Sequence, residues 1–482
     1  MPKARAKAEY GDFQTPASLC QQVCALLARR RIRPATIIEP TCGIGNFLCA
    51  ALDRFEDARS VVAVDVNRQY VAQLRKRLGS RPKGGRVSLV SASFFSTDWD
   101  AILDRSSSPW LVIGNPPWVT SAELGTFDSE NLPARTNVHG HAGLDAITGK
   151  SNFDISEYML LQMFHWLHSR RGTLAMLCKT SVARKVLLHA WKHSLNVSRA
   201  GLYLIDARTE FDASVNACLL VCDFGPRRRT TNADVFNSMQ STRADRQIGF
   251  RDGQIVADAE AYDGWKHLLN REPGTSRKWR SGIKHDCARL MELRVEGGQF
   301  VNKLGETVRI EDTYLYPMLK GSDIAGQNEP RVQRHMLVPQ RSIGQDTSVI
   351  QRCAPRTWRY LVTHAELLDG RRSSIYRNRP RFSIFGVGDY AFAPWKVAVA
   401  GLYKTLRFRV VGKHRGKPIV LDDTCYFLPC RTRREAETLC MLLNSPPARA
   451  FFSAFVFWDS KRPVTVDLLR RLDLDKLAKE LG

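Results

Sequence analysis

Apolar and polar positions alternate in a regular way along residues 1–225. Short apolar runs predict buried strands, and longer stretches with apolar residues every three or four positions predict amphipathic helices. Strands are predicted at 35–39, 60–66, 87–91, 110–114, 173–178, 201–205 and 215–223. Helices are predicted between them, at 17–31, 47–55, 68–78, 98–104, 154–170 and 182–196. Strands alternating with helices indicate an α/β domain, with a parallel sheet covered by helices on both faces.

The pattern changes after residue 225. Residues 225–245 (GPRRRTTNADVFNSMQSTRAD) are polar and contain Pro, Ser and several Arg, which predicts a linker over residues 226–250. Beyond it the alternation fails. Short β-like runs (FRDGQIVAD, RFSIF, WKVAVAGLYK and CYFLPC) are followed by predicted helices at 433–443, 446–455 and 465–479. We therefore predict a first domain at 1–225 and a mixed α+β domain at 251–482.

The chain is strongly basic. Its 482 residues include 72 Lys+Arg and 48 Asp+Glu, a formal net charge of +24. Residues 1–250 contribute +10 and residues 251–482 contribute +14, and residues 371–417 hold 12 Lys/Arg with a single acid, Asp389. Such an excess attracts nucleic acid, although it also fits an anionic membrane or simple solubility.

Composition excludes several classes of protein. A hydrophobic fraction of 44% with 25% charged residues excludes a largely disordered chain. No run approaches the roughly 18 apolar residues that cross a bilayer, and the first residues lack an apolar signal core, so we expect a soluble intracellular protein without a membrane partner. The 12 cysteines include no Cys-x2-Cys pair. We expect reduced thiols and no metal.

Two features of the first domain suit a nucleoside ligand. The segment Glu39-Pro40-Thr41-Cys42-Gly43-Ile44-Gly45-Asn46-Phe47 connects a predicted strand to a predicted helix. Its glycines allow the backbone to approach a ligand, although two glycines do not make the dinucleotide fingerprint and a simple tight turn is the alternative. Asp65 ends the next strand, where an acid can accept hydrogen bonds from ribose hydroxyls. A helix cap is the alternative for Asp65.

A third feature carries the chemistry. Asn115-Pro116-Pro117-Trp118 follows the fourth strand, and its two prolines fix the backbone and remove two N–H donors. The Asn115 amide oxygen and the Pro116 carbonyl can both accept hydrogen bonds from one exocyclic amine, while Trp118 offers a flat face to a base. An amine held in this way keeps its lone pair for attack on a methyl donor. A turn without function is the alternative.

With these motifs the sequence resembles the gamma-class amino methyltransferases of DNA, the adenine-N6 enzymes typified by the TaqI methylase. The resemblance spans about residues 9–225, and Tyr10-Gly11-Asp12-Phe13-Gln14-Thr15-Pro16 precedes the glycine turn as the gamma order requires. It implies a Rossmann-like S-adenosylmethionine-dependent methyltransferase domain at 1–225 and a DNA target-recognition domain at 251–482. It further implies that S-adenosylmethionine is bound by Thr15, Glu39, Pro40, Gly43, Gly45, Asp65, Ser93, Asn115 and Phe153.

Several positions carried over from the family have open alternatives. Phe153 is expected near the adenine of the cofactor, and Phe211 is expected to stack on a flipped base with Trp118; ordinary core packing is the alternative for both. Lys179 ends a strand where it would face the pocket or solvent. Ser93 departs from the pattern, because the family usually has an acid there. A hydroxyl still accepts a hydrogen bond but adds no charge, and Asp98 is a possible substitute.

Cations alternate with aromatic residues in the second domain, at Tyr376-Arg377-Asn378-Arg379-Pro380-Arg381-Phe382, Trp395-Lys396 and Trp458-Asp459-Ser460-Lys461-Arg462-Pro463. Such side chains suit phosphate contacts and the reading of base edges. A sheet face with solvated arginines is the alternative. We expect DNA contacts from Arg377, Arg379, Arg381, Lys396, Lys461 and Arg462.

The expected activity is transfer of a methyl group from S-adenosylmethionine to the N6 amine of adenine in a specific double-stranded DNA sequence. The adenine would be flipped into the pocket formed by Asn115 to Trp118. Cytosine-N4, RNA adenine and protein glutamine remain alternative acceptors, and an inactive DNA-binding subunit of a defence complex is another alternative. We expect a bacterial cytoplasmic, nucleoid-associated protein of a restriction–modification or related phage-defence system, whose nuclease would be a separate chain.

Overall fold

The computed structural model describes residues 14–79, 87–119, 154–271 and 277–482. The chain divides into two compact units, Met1–Ala259 and Glu260–Gly482. Two predicted features, the segment Tyr10–Phe13 and the cofactor contact at Phe153, lie outside the described residues.

The first unit alternates strands and helices along most of its length. Its helices in the described residues are α1 (Ala17–Arg29), α2 (Asn46–Arg54), α3 (Arg68–Gly79), α4 (Trp99–Asp104), α5 (Ile155–His168), α6 (Thr180–Lys192) and α7 (Ala207–Phe211). Its strands there are β1 (Thr36–Glu39), β2 (Ser60–Asp65), β3 (Val87–Ser91), β4 (Trp110–Gly114), β5 (Gly172–Lys179), β6 (Val197–Ile205), β7 (Ala217–Phe224), β8 (Asn232–Phe236), β9 (Arg246–Arg251) and β10 (Gln254–Val256).

These strands form one sheet in the order β10-β9-β8-β6-β7-β5-β4-β1-β2-β3. Strands β1 to β5 pair in parallel, whereas β7 runs antiparallel to both β5 and β6. The predicted α/β class is confirmed, with the difference that the sheet is not parallel throughout. The short β6–β7 connection explains the reversal, because parallel neighbours need a longer crossover.

The strand order reverses between β1 and β4, and this reversal positions the candidate site. Strands β1 and β4 are buried along their whole length, as their apolar sequences TIIE and WLVIG predict for the centre of a parallel sheet. Because β2 and β4 lie on opposite sides of β1, the carboxyl ends of these three strands meet at one edge. Ligands of open α/β sheets bind in the crevice at such a reversal.

The segment predicted as a linker, residues 226–250, contains strands instead. Strand β8 pairs in parallel with β6, and β9 pairs antiparallel with β8, so both extend the sheet of the first unit. Apolar side chains hidden among polar ones explain the difference, since Ala233, Val235 and Ile248 are buried. The division between the units falls between Ala259 and Glu260 rather than within residues 226–250.

The second unit has many short elements, as the mixed α+β prediction requires. Its helices in the described residues are α8 (Ala259–Trp265, at the division), α9 (Ala288–Met291), α10 (Gly321–Ala325), α11 (Ile350–Cys353), α12 (Pro355–Thr363), α13 (Ala365–Asp369), α14 (Arg433–Asn444), α15 (Pro446–Ser453), α16 (Val466–Leu469) and α17 (Leu474–Leu481). Short 3₁₀ turns occupy Lys266–Leu268, Asp312–Tyr314, Ser374–Tyr376 and Asp389–Phe392.

The strands of the second unit, within the described ranges, are β11 (Arg280–Ser281), β12 (Glu292–Glu296), β13 (Gln299–Val301), β14 (Thr307–Val308), β15 (Leu315–Leu319), β16 (Arg334–Leu337), β17 (Trp395–Ala400), β18 (Arg409–Val411), β19 (Lys413–His414), β20 (Lys417–Pro418), β21 (Val420–Leu421) and β22 (Cys425–Cys430). They form sheets in the orders β14-β13-β12-β16-β15-β21, β11-β22-β17-β18 and β19-β20. The runs WKVAVAGLYK and CYFLPC are paired strands as predicted, whereas RFSIF is not a strand.

The helix predicted over residues 465–479 is two helices, α16 and α17. The chain between them leaves the helical path because Leu472 forms a β-bridge with Leu269. Asp473 then starts α17 by accepting hydrogen bonds from the backbone N–H groups of Asp475 and Lys476.

Candidate functional site

The turn between β1 and α2 requires both of its glycines. Gly45 has φ of +81°, and a Cβ atom there would lie 2.3 Å from Leu74 Cδ1. Gly43 has φ of +51°, and a Cβ there would lie 2.8 Å from the Gln14 side-chain oxygen. That oxygen also accepts a hydrogen bond from the Ile44 N–H at 3.3 Å. Glycine therefore lets the turn pack closely between α3 and the residue before Thr15.

Asp65 ends β2 directly beside this turn. Its carboxylate accepts hydrogen bonds from the Gly43 N–H at 2.7 Å and the Asn67 N–H at 2.8 Å. The side chain that caps α3 is Asn67, whose oxygen accepts from Gln69 N–H at 3.0 Å. The structure therefore assigns the helix cap to Asn67, and Asp65 lies against the glycine turn where a ribose-binding acid is predicted.

Asn115, the first residue after β4, has one half of its amide engaged. Its Nδ2 donates to Thr15 Oγ1 at 3.2 Å. Its Oδ1 is buried and has no hydrogen-bond partner among the described residues. A buried acceptor left unpaired destabilises a protein by about 1–3 kcal/mol, so this atom is suited to a ligand that donates a hydrogen bond.

Thr15 joins two parts of the site. Besides accepting from Asn115, it accepts a hydrogen bond at its backbone oxygen from Asn46 Nδ2 at 2.8 Å. Asn46 follows the second glycine and begins α2, so Thr15 connects the glycine turn to the loop after β4. The sequence did not predict that Asn46 would bind Thr15. The position of Asn46 directly after Gly45 was the feature that could have indicated it.

Glu39 is a second buried polar group at this edge. Burial, together with the nearby Asp65 carboxylate, raises the pKa of Glu39 well above its ordinary value. Its Oε2 has no hydrogen-bond partner in the described part of the chain. Glu39 at the end of β1 and Asn115 just after the adjacent strand β4 thus each have one buried polar atom without a partner among the described residues. Pro40, which follows Glu39, is also buried.

The two residues predicted to hold a base contact each other. The ring centroids of Trp118 and Phe211 are 5.1 Å apart at 67°, an edge-to-face arrangement. Trp118 Nε1 donates to the Leu177 carbonyl at 3.4 Å, which fixes the indole plane. Both rings are largely buried in the core of the first unit. The fold thereby brings together residues from the loop after β4 and from the end of α7.

The residues predicted around the cofactor adenine have local structural roles. Ser93 Oγ accepts a hydrogen bond from the Phe95 N–H at 3.2 Å and shapes the turn after β3. Asp98, considered as a substitute for the missing acid, is exposed and accepts from the Ala101 N–H at 3.0 Å as the cap of α4. A hydroxyl thus remains at the position where the family usually has an acid.

Lys396 contradicts its predicted role in DNA binding. It is 0% exposed, and its Nζ donates to the carbonyl oxygens of Ala393 at 2.7 Å and Ile419 at 2.8 Å. Burial lowers its pKa to about 7. The prediction is wrong because β17 is covered on both faces, so its lysine cannot reach a phosphate.

The other predicted cations of the second unit are at its surface. Arg377, Arg379 and Arg381 are exposed, and Arg381 forms an ion pair with Asp369 at 2.8 Å. Their loop ends at Phe382, a buried residue with the unusual φ of +65° that packs on Trp358. This packing holds a strained backbone conformation that is rare for an aromatic residue.

A concavity of about 350 Å³ adds residues that the sequence did not reveal. Lys461 and Arg462 are exposed just after it along the chain, and Arg462 donates to the Tyr426 hydroxyl at 3.1 Å. We call this concavity the Trp458 groove. Among the described residues, the groove is lined by two arginines, two hydroxyl groups, a leucine and an indole, but no carboxylate: Thr405, Leu406, Arg407, Arg449, Ser453 and Trp458. One feature of the sequence could have pointed to Arg449: it is the cation among the otherwise apolar or small residues of α15.

The described residues contain no group of three or more His, Cys, Asp or Glu side chains that could hold a metal ion. They also contain no helix with the length and hydropathy needed to cross a membrane.

The glycine turn after β1, the acid ending β2 and the Asn-Pro-Pro-Trp loop after β4 define a class of protein, the S-adenosylmethionine-dependent methyltransferases with a Rossmann-like fold. Comparisons with known proteins give the family. The chain is 44% identical over 476 residues to the type II methyltransferase M.NspV of Nostoc sp. (strain ATCC 29411 / PCC 7524), which covers 98% of each chain.

Two other similarities are more limited. The type II methyltransferase M.XamI of Xanthomonas campestris pv. amaranthicola is 30% identical over 115 residues, 24% of this chain and 21% of that one. Among solved structures, the type IIL restriction–modification enzyme MmeI in complex with DNA has a similar fold, with a TM-score of 0.55 at 13% identity. That match covers 94% of this chain and 64% of MmeI. No model of a protein family matches the chain.

The chain belongs to the type II methyltransferases. It is a DNA methyltransferase of the restriction–modification type that uses S-adenosylmethionine as its methyl donor.

Proposed function

We propose that this enzyme methylates the N6 amine of adenine within a specific sequence of double-stranded DNA. The observation that carries the proposal is the buried Oδ1 of Asn115 at the carboxyl end of β4, which has no hydrogen-bond partner among the residues that the structure describes. Thr15 holds the other half of the amide, so Oδ1 is presented as an acceptor for an incoming N–H group.

The proposed mechanism depends on positioning. Asn115 Oδ1 and the Pro116 carbonyl accept one hydrogen bond each from the two N–H groups of the amine, while Trp118 and Phe211 hold the base. Pro117 fixes the backbone between these groups. When bound, S-adenosylmethionine would supply an activated methyl group and leave as the neutral thioether S-adenosylhomocysteine, so the held amine needs no strong general base for its attack. The methylated amine, which is then cationic, would release one proton to water. Bringing the reacting groups together in the correct geometry supplies most of the rate enhancement.

The residues around the glycine turn fit the methyl donor. The Oε2 of Glu39, which lacks a partner within the described ranges, suits a polar group of the ligand, and Gly43 and Gly45 keep side chains away from the turn. We propose that S-adenosylmethionine is held by Thr15, Glu39, Pro40, Gly43, Gly45, Asp65, Ser93, Asn115 and, outside the described residues, Phe153.

The burial of the candidate pocket supports base flipping. An amine inside a duplex cannot reach an oxygen atom buried at the end of β4, so the nucleotide must leave the stack at a cost of a few kcal/mol. We propose that the second unit repays part of this cost by binding DNA. The candidate DNA contacts of the second unit are the Trp458 groove and six cations: Arg377, Arg379, Arg381, Arg449, Lys461 and Arg462.

The relatives' names support a place in a restriction–modification system. We propose that the matching nuclease is a separate chain, because M.NspV, which matches this chain over 98% of both lengths, is named as a methyltransferase. Action on bacterial DNA would place the enzyme in the cytoplasm with the nucleoid.

The experiment that tests this function identifies the methylated base. The purified chain is incubated with DNA and S-adenosylmethionine carrying a labelled methyl group, and the DNA is digested to nucleosides for mass spectrometry. Labelled N6-methyl-2′-deoxyadenosine is the expected product. Labelled N4-methylcytosine, or label only in RNA supplied in parallel, would overturn the adenine assignment. Sequencing of the modified bases in DNA from cells with and without the protein gives the target sequence.

A further inference from the structure

Lys179 lies at the carboxyl end of β5, next to the loop that follows β4. Its Nζ donates a hydrogen bond to the Trp118 carbonyl at 3.1 Å and forms an ion pair with Asp154 at 2.6 Å. The pair is sheltered, with 22% of the lysine side chain and 10% of the aspartate side chain exposed. One cation thus joins the last residue of the Asn-Pro-Pro-Trp loop to the start of α5.

The partner of Lys179 is itself held in place. Asp154 caps α5 by accepting hydrogen bonds from the backbone N–H and the hydroxyl of Ser156. The next residue, Ile155, donates its N–H to the Val119 carbonyl at 2.9 Å. Trp118 and Val119 are therefore tied to α5 at consecutive positions, one through the Lys179 side chain and one directly through the backbone.

We propose that Lys179, oriented by Asp154, is a positioning residue for methyl transfer. It would set the place of the Trp118 indole and of the acceptors at Asn115 and Pro116, and the inference rests on the role proposed above for that loop. Both prolines have a fixed φ, so the loop has few dihedral angles to absorb a shift of the Trp118 carbonyl. A displacement of about 1 Å at a reacting group can lower a rate by about 100-fold.

The ion pair with Asp154 explains how Lys179 can act as a positioning residue close to the reacting amine. The amine gains positive charge as it takes the methyl group, so an unneutralised cation nearby would oppose the reaction. Asp154 supplies the balancing negative charge at 2.6 Å. Lys179 can then hold the carbonyl with little net charge next to the amine.

The chain provides a matched control in Lys185. Its Nζ forms an ion pair of the same length, 2.6 Å, with Glu157 Oε2. Glu157 lies on α5, one turn beyond Asp154, and is 8% exposed. This pair joins α5 to α6 rather than to the loop after β4. Its removal breaks an ion pair of α5 of the same length and takes the cation from a similarly buried carboxylate, without touching the Trp118 carbonyl. The Lys185 side chain is the more exposed of the two lysines, at 59% against 22%.

The experiment compares Lys179→Met, Lys179→Arg and Lys185→Met in the full chain. We expect Lys179→Met to lower kcat by about 10- to 100-fold while KM for DNA changes by less than about threefold. Lys179→Arg should recover part of the lost kcat, because the cation is restored at a changed length. Lys185→Met should keep kcat within about twofold, even where its Tm falls as much as that of Lys179→Met.

A second measurement does not depend on activity. Hydrogen exchange at the Ile155 amide reports its hydrogen bond to the Val119 carbonyl. We expect exchange at least about threefold faster in Lys179→Met than in Lys185→Met, because only the first change loosens the loop. Equal losses of kcat in the two Met variants, or equal exchange at Ile155, would overturn the proposal. A product other than N6-methyladenine would overturn the proposed function and leave this comparison intact.

Discussion

At the scale of single residues, the strongest pointer to function is the side-chain oxygen of Asn115, which is buried and has no partner in the described part of the chain. Folding normally pairs buried polar atoms, because leaving one unpaired costs about 1–3 kcal/mol, more than the roughly 0.5–1.5 kcal/mol that a typical hydrogen bond contributes. The sequence identified Asn115 from its tetrapeptide. It could not show that Thr15, 100 positions earlier, fixes the amide, because a contact over that separation depends on the folded sheet.

Replacing Asn115 by Ala removes the proposed acceptor. We expect methyl transfer to fall by at least about 100-fold, since a positioned hydrogen bond to the reacting group is lost. DNA affinity should change by less than about threefold, because the DNA contacts are proposed for the second unit. Radiolabelled methyl transfer and a gel-shift titration measure the two effects. Transfer at the wild-type rate would contradict the mechanism.

Lys396 shows where residue-level prediction fails. A lysine beside an aromatic residue in a basic stretch has the composition of a DNA contact, yet the structure buries it. Composition does not reveal burial, because both faces of β17 are covered by parts of the chain that are distant in sequence. The buried amine still donates to two carbonyl oxygens, which a neutral amine can do.

Burial of Lys396 predicts a pH-dependent stability. Its pKa is 10.5 in the unfolded reference and about 7 in the folded protein, so between these values the unfolded state binds the extra proton. The contribution of this lysine to stability therefore rises with pH across that window and is least favourable below pH 7. Urea unfolding of wild type and Lys396→Met at pH 6 and pH 9 measures it. The wild type should gain about 3 kcal/mol relative to the variant between these pH values. Parallel pH profiles would show that the lysine titrates normally.

At the scale of elements, periodicity predicted the first unit closely. The predicted strands 87–91 and 110–114 coincide with β3 and β4. The hydrophobic pattern did not predict those elements whose conformation depends on tertiary contacts. The short helix α7 has too few residues for a helical period, and β8 is a strand because β6 offers it a parallel partner. The sequence also predicted that each of the three motifs lies at the end of a strand. The sheet order brings those strand ends together.

The glycine turn offers a test at this scale. Gly45→Ala places a methyl group against Leu74 and in a left-handed conformation, so we expect a loss of about 1–3 kcal/mol in stability and a weaker affinity for S-adenosylmethionine. Gly79→Ala, at the end of α3, is the matched control, since a Cβ there has nothing within 4 Å. Thermal unfolding and calorimetry with S-adenosylmethionine measure both effects. Equal behaviour of the two variants would mean that the turn tolerates a side chain.

At the scale of the whole molecule, the structure shows which of the charges behind the net +24 are exposed. The candidate pocket at the ends of β1, β2 and β4 contains acids and uncharged groups, whereas the second unit exposes arginines on the 377–381 loop and around the Trp458 groove. The sequence could predict an excess of cations in the second half. It could not separate exposed cations from buried or paired ones, since Lys396 and Arg381 look alike before folding.

This distribution predicts how DNA affinity depends on salt. Each phosphate contact that is lost lowers the slope of log K against log salt by about 0.9. The double variant Arg449→Ala/Lys461→Ala should therefore bind DNA more weakly at low salt, with a slope about 2 units shallower than that of the wild type. Arg470→Ala is the control, because Arg470 is exposed beside Asp467, 3.8 Å away, and has no proposed contact with DNA. Fluorescence anisotropy titrations over a series of NaCl concentrations give the slopes. If the double variant and the control keep the wild-type slope, DNA does not follow the Trp458 groove, and the arginines of the 377–381 loop are left as the candidate phosphate contacts of the second unit.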